Sequence, residues 1–357
     1  MWPRAFKILG VVGVTGVGIR YYCKGGLNIY KPDLTGKVAV IIGGTAGIGK
    51  ETARELFKLG ATVVITGRDE KKAEVVVSSI NSEKKVHSQK SVNSVEFIKS
   101  DCSDLDQVKE LAELLNKRFD RIDILVNNAG LSCSSYNKTK QGIEMTVGVN
   151  YLSLAYLSSL MLLTISKSDD GRIIMVSSRG YKDYPLLHDK SEIYDDFLVE
   201  NMTSETFGRF KTYLRSKLGQ VYFCQSLAKL LESSGITNIK TASVHPGVVR
   251  SEIWNRDMIP GSLSKLGIIF TPFLWLLLKS ENEGAQTTLH TCLCPPSMLN
   301  NGAYYNDCSV ERLTKIGSDE KLRQIAWNTT DKKIRELTGH EMFADLKVDA
   351  SDRKLSK

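Results

Sequence analysis

Residues 38–60 read VAVIIGGTAGIGKETARELFKLG. The first five residues are a continuous apolar run, short enough for a buried strand. From Ile48 onward, Ile48, Thr52, Ala53, Leu56 and Phe57 fall on one helical face, and Gly60 ends the pattern. Between strand and helix lies Gly43-Gly-Thr-Ala-Gly-Ile-Gly49. Glycines at such a turn let the backbone pass close to a pyrophosphate and leave the first helical amides free to meet it. A glycine cluster alone says little. With a strand before it and a helix after it, the cluster points to a dinucleotide site.

The same alternation continues outward. Further strands are expected at 62–66, 95–98, 122–126, 172–176, 241–244 and 302–305, with helices at 71–80, 104–119, 141–165 and 207–234. This pattern implies an α/β fold: a single Rossmann-type, doubly wound parallel sheet with helices on both faces. It spans residues 35–312. A C-terminal helical extension and polar tail follow at 313–357. Residues 179–206 read as a polar, acidic insert in which His188, Asp189, Asp195 and Asp196 suggest solvated charge rather than a metal site. Residues 262–280 read as an apolar lid over the substrate side. Its core at 266–278, LGIIFTPFLWLLL, is too short to span a bilayer and is broken by Pro272. A buried helix and a greasy lid receiving a lipophilic substrate are both compatible with it.

Residues 1–30 carry the uncharged run ILGVVGVTGVGI at 8–19, flanked by Arg4 and Lys7 before it and Arg20 and Lys24 after it. Twelve helical residues rise about 18 Å against a bilayer core of about 30 Å. Adding Phe6, Tyr21 and Tyr22, with Lys7 and Arg20 snorkelling, reaches the minimum span. An uncleaved membrane anchor is expected; a short amphipathic leader is the alternative. The chain of 357 residues is 42% hydrophobic and 25% charged, so it can build a sizeable core. Its net charge is +8, but Lys and Arg are interleaved with Asp and Glu, which fits a solvated basic surface rather than nucleic-acid binding. Seven cysteines without a C-x-x-C pair give neither a disulfide framework nor a zinc pattern, and no other metal is expected.

The end of the second strand bears on the cofactor's ribose. A carboxylate there accepts from a 2′-hydroxyl and repels a 2′-phosphate, whereas a guanidinium attracts the phosphate. The chain has Gly67 at that place, then Arg68 and Asp69. NADP(H) is therefore expected over NAD(H), with Asp69 as the contrary sign.

Four more segments fall in order: Asn127-Asn-Ala-Gly130 after the fourth strand, Asn150 inside the following helix, Ser177-Ser178 closing the fifth strand, and Tyr213-Leu-Arg-Ser-Lys217 in the next helix. Together with the glycine turn, these resemble the short-chain dehydrogenase/reductase family over roughly residues 35–310. Within that family, Gly47-Ile-Gly-Lys-Glu-Thr-Ala53, Val147-Gly-Val-Asn-Tyr151, His245-Pro-Gly-Val-Val-Arg-Ser251 and the long insert look most like the retinol dehydrogenase branch with an N-terminal membrane segment. The resemblance implies that Gly43, Thr45, Gly47, Ile48 and Gly49 hold the pyrophosphate side and Arg68 the ribose. It further implies that Asp101 touches the adenine, that Asn128, Ala129 and Gly130 flank the cofactor, and that Pro246, Gly247, Val249 and Ser251 border the nicotinamide. Ser178, Tyr213 and Lys217 would be catalytic, with Asn150 in a proton relay; Ser177 is the alternative donor. Ile42 stands where the family usually has threonine, which removes a side-chain hydrogen bond at the turn.

Carbonyl reduction needs a hydride and a proton. A lysine ammonium about 4 Å from a phenol contributes roughly 4 kcal/mol at an effective dielectric of 20, about three pKa units. Desolvation opposes part of this, and the net expectation is a Tyr213 phenol drawn toward physiological pH. The expected partner is a lipophilic small molecule such as a retinoid or steroid. A hydroxysteroid dehydrogenase and a non-catalytic NADP(H)-binding membrane regulator are the competing functions. The endoplasmic reticulum is the expected membrane, with a mitochondrial one as alternative, and the resemblance leaves room for a homodimer.

Overall fold

Strand β1 (Val38–Ile42) feeds two cores at once: Val40 and Ile42 enter one hydrophobic cluster, Ala39 and Ile41 the other. Such alternation, apolar on both faces, is what a strand covered on both sides requires. In the computed structural model, which describes residues 18, 20–83, 93–186, 194–250, 277–344 and 346, β1 lies at the centre of an eight-stranded sheet. Its strand neighbours are β2 (Thr62–Gly67) and, across the reversal of strand order, β4 (Ile124–Asn127). Beyond β2 comes β3 (Val95–Lys99). Beyond β4 come β5 (Gly171–Val176), β6 (Ile239–His245), β7 (Tyr304–Asn306) and β8 (Ser309–Val310). All pairings are parallel except the last, β7 with β8. The doubly wound parallel sheet read from the sequence is thus the observed one.

Helix α1 (Gly47–Lys58) leaves β1, and α2 (Glu70–Ser82) leaves β2 behind an Asp69 N-cap. α3 (Leu105–Arg118) starts from an Asp104 N-cap. The expected helix at 141–165 starts later. Gly142 turns the chain at φ +84°, and Glu144 caps the one-turn α4 (Met145–Val147) by accepting from the Val147 amide at 2.8 Å. A π-helical turn, Gly148–Leu152, then runs into α5 (Ser153–Ser166). Residues 145–166 are apolar and long enough to cross a membrane, but this helix is almost wholly buried inside the protein. α6 (Arg209–Ser233) and α7 (Glu281–Leu293) precede β6 and β7 respectively, and α8 (Glu320–Thr338) follows the sheet. α8 packs on α6, and Trp327 stacks on Phe343 with ring centres 5.7 Å apart.

The insert after β5 departs from its polar reading. Tyr181, Tyr184, Phe197, Leu198 and Met202 are buried, with Tyr181 edge-on to Tyr304 and Phe197 edge-on to Tyr151. Its acidic residues are spaced between aromatic anchors, so charge density misrepresents where the segment sits. Asp196 is spent locally, accepting from the Glu200 and Asn201 amides. His188 and Asp189, the run at 8–19 except residue 18, Ser251, and all but the last two residues of 266–278 lie outside the described residues.

Candidate active site

A cleft of about 900 Å³ opens at the carboxyl ends of the strands, where the strand order reverses between β1 and β4. Gly43, Thr45, Gly47, Ile48, Arg68, Asp101, Asn128, Ala129, Gly130, Tyr213, Lys217, Pro246, Gly247 and Val249 all line it. Residues from six separate segments, expected from sequence to share one ligand, therefore do share one cleft.

The glycine turn is shaped by contacts that a side chain would break. A Cβ at Gly43 would come within 2.8 Å of the Ala129 backbone, and one at Gly49 within 2.2 Å of the Gly43 carbonyl. Gly47, at φ +57°, faces open space instead. Asn128 fastens the turn by donating to the Gly43 carbonyl at 2.7 Å. The hydrogen bond expected to be missing beside Ile42 is partly replaced: the Gly43 amide points to the Thr66 hydroxyl at 3.4 Å, and the Gly44 amide donates to the Thr66 carbonyl at 3.1 Å. The N-cap of α1, Ala46, has no capping side chain, and no acid occupies the first turn. That helix end presents free amides and the positive end of its dipole to the cleft, a fit to a pyrophosphate.

At the end of β2, a side chain on Gly67 would collide with Thr45, whose atoms lie 2.9–3.0 Å from the Cβ position. A carboxylate there would require the Thr45 side chain to move. Arg68, Lys71 and Lys72 line this end of the cleft. Asp69, the contrary sign in the sequence, has its carboxylate turned to the Lys72 amide at 3.0 Å as the α2 cap. Asp101 accepts from the Ser103 amide at 2.9 Å.

On the opposite side, α6 carries Tyr213 and Lys217 four residues apart on one face. The Lys217 Nζ stands 5.6 Å from the centre of the Tyr213 ring. Lys217 is buried and donates to the Val176 carbonyl at 2.8 Å and the Gln220 Oε1 at 3.3 Å. Burial brings its ammonium down to about 7. The Ser178 hydroxyl beside Tyr213 draws its phenol down, but burial outweighs this and raises it. The expected lowering of Tyr213 is not met. The dry surroundings disfavour charge on both groups, so no permanently charged lysine stands beside the phenol.

The two serines separate cleanly. Ser177 donates to the Lys217 carbonyl at 2.7 Å, a structural bond, while Ser178 meets Tyr213. Asn150 does not line the cleft. It sits buried in the π-turn, bonded to both backbone groups of Leu131 (2.8 and 2.9 Å) and to Ser216 Oγ (3.1 Å). Gly49 is likewise behind the surface. His245 accepts the Arg179 amide through Nδ1 at 3.1 Å, and burial together with the Lys279 cation holds it neutral, near 3. Sequence reasoning missed Gln220. Its only signal was position: three residues after Lys217, it shares that helical face.

The family model for short chain dehydrogenase matches residues 37–186. Human retinol dehydrogenase 12 is 36% identical over 312 residues, covering 87% of this chain and 90% of that protein. Human retinol dehydrogenase 14 is 31% identical over 307 residues, covering 84% and 86%. A solved short chain dehydrogenase from Burkholderia cenocepacia in complex with NADP has a TM-score of 0.56 at 22% identity, covering 76% of this chain and 96% of that one.

Proposed function

The chain belongs to the short-chain dehydrogenase family, and we propose that it is an NADP(H)-dependent oxidoreductase interconverting a lipophilic alcohol with its aldehyde or ketone, retinol and retinal being the nearest models. One observation carries the reading: the Tyr213 phenol, beside Ser178 and overlain by Lys217, lies in the same cleft as the glycine turn. A bound nicotinamide supplies the hydride in reduction and takes it in oxidation. Ser178 donates to the substrate oxygen and holds it beside Tyr213. In reduction the Tyr213 hydroxyl passes its proton to that oxygen; in oxidation the phenolate accepts it. Burial keeps the resting phenol protonated, the state from which reduction starts. NADP(H) is supported by the absence of a carboxylate at Gly67, the cations beside it and the engaged carboxylate of Asp69.

The lipophilic substrate and the membrane go together. The segment after the apolar run at 8–19 packs along α7: Arg20 pairs with Glu283, and the Asn28 amide donates to Gln286 Oε1 at 3.1 Å. α7 begins just after the apolar run at 266–278. The described residues that border both greasy stretches thus meet at one helix, whose Glu281 lines the cleft with Val249. Exposed Tyr21, Tyr22, Leu27 and Ile29 suit a membrane interface, that of the endoplasmic reticulum in this reading.

The test is full-length protein in detergent with NADPH or NADH and a panel of retinal, long-chain aldehydes and ketosteroids. NADPH-linked reduction of aldehydes is expected. Tyr213→Phe should lower kcat by about 10²–10⁴-fold while NADPH still binds. Intact cofactor binding without turnover of any carbonyl would overturn the reading in favour of a non-catalytic binder.

A further inference from the structure

Gln220 is wholly buried in the middle of α6, and its amide is fixed at both ends. Nε2 donates to the Asn150 carbonyl at 2.7 Å, and Oε1 accepts from Lys217 Nζ at 3.3 Å. The orientation has no alternative, since a carbonyl can only accept and an ammonium can only donate. A neutral amide buried between two such partners needs both, because either one lost leaves an orphan in a dry core. The Asn150 end is itself rigid. Its side chain bonds Leu131 and Ser216, and the Ser216 hydroxyl donates to the Tyr213 carbonyl at 2.7 Å. Of the three N–H groups of Lys217, two go to Val176 and Gln220. Its Nζ also lies 3.4 Å from the Cβ position of Gly130, on the cleft wall.

We propose that Gln220 is a positioning residue for Lys217: it clamps the ammonium to the π-turn carbonyl of Asn150 and stabilises its charged form at the edge of the cleft. This rests on the function proposed above. Among the described residues, the titratable group facing Lys217 is Tyr213 on its own helix. The groups that face it from β5, the π-turn and the segment after β4 are the Val176 carbonyl, Asn150 and Gly130, all uncharged. Burial alone opposes its charge, and Gln220 is one of two acceptors that offset it.

Two variants test the clamp. Gln220→Met keeps the volume and removes both hydrogen bonds. Gln220→Glu keeps the acceptor and adds a negative charge. Two readouts are taken: the pH profile of kcat for NADPH-linked carbonyl reduction, and the ¹³Cε shift of Lys217 titrated by NMR in the full-length protein. The Met variant should move the Lys217 titration, and with it the alkaline limb of kcat, down by about one to two pH units. The Glu variant should move both upward. A folded Met variant whose kcat falls equally at every pH, with the Lys217 titration unmoved, would overturn the proposal and leave a packing role. If the Met variant does not fold, the direction of the Glu shift decides. If wild type turns over no carbonyl, the proposed function fails, and the NMR titration still decides the role of Gln220.

Discussion

Replacing Lys217 with methionine should change the stability of the protein without bound cofactor by an amount that depends on pH. Burial lowers the ammonium from its ordinary 10.5 to about 7. A lysine whose folded pKa is depressed is charged in the unfolded chain while neutral in the folded one between those two values. Folding then expels a proton, so stability rises with pH across that window, and below it the penalty is full and constant. The penalty is roughly 5 kcal/mol at pH 6 and roughly 2 kcal/mol at pH 9, at 1.36 kcal/mol per unit. Tyr213 adds nothing in this range, since its raised phenol is protonated in both states. Methionine removes the penalty but strips the Val176 carbonyl and Gln220 Oε1 of their donor, a loss of about 1–3 kcal/mol each that does not vary with pH. The net sign at one pH is therefore set by close competition, but the difference between two pH values is not. Lys217→Met should gain about 3 kcal/mol more at pH 6 than at pH 9, on the order of 5 °C in apparent Tm for a chain this long. Scanning fluorimetry of wild type and variant at both pH values, without cofactor, reads it directly. A stability difference that is flat between pH 6 and 9, or larger at pH 9, would refute a desolvated lysine at this position.

Gly49→Ala would drive a methyl to 2.2 Å from the Gly43 carbonyl, so the turn must open; NADPH binding, followed by quenching of protein fluorescence, should fall at least about tenfold with the sheet intact by circular dichroism. Arg68→Ser should weaken NADPH by about 10–100-fold, the loss of one charge-assisted contact, and leave NADH nearly unchanged; equal losses for both would place the guanidinium elsewhere. Ser178→Ala should lower kcat about 10²-fold or more with little change in Tm, whereas Ser177→Ala, which loses only the bond to the Lys217 carbonyl, should reduce stability by about 1 kcal/mol and spare most of kcat.

How much of this was legible beforehand follows from the range of the interactions involved. β1 was bounded to the residue because a five-residue apolar run between Lys37 and a glycine turn leaves no other register. Tyr213 and Lys217 were paired correctly because i and i+4 on a helix is a local relation. What failed was mostly non-local, the start of the helix expected at 141–165 being the local exception. The start of α4 hangs on the backbone of Gly142 and the Glu144 cap, which interrupt an otherwise helical apolar pattern. The insert looked solvated because its aromatic anchors find their partners on α6 and β7, far along the chain. Gln220 was invisible for the same reason: its importance lies in reaching Asn150, 70 residues earlier.

The raised Tyr213 phenol carries the most consequence for mechanism. A charge pair computed as though one partner were permanently ionised yields an acidic phenol. With both partners in dry protein, each first has to overcome its own desolvation, and the lysine, brought to about 7, is the group that changes state near neutral pH. The pH response of the resting site is then a lysine response. Reduction, which starts from a protonated phenol, should decline on the alkaline side as Lys217 loses its proton. Anything that holds that proton, from the Val176 carbonyl to Gln220, sets the upper pH at which the site works. The structural elements that decide this are therefore not the tyrosine's own contacts but the acceptors gathered around Nζ, one from β5 and one braced against the π-turn.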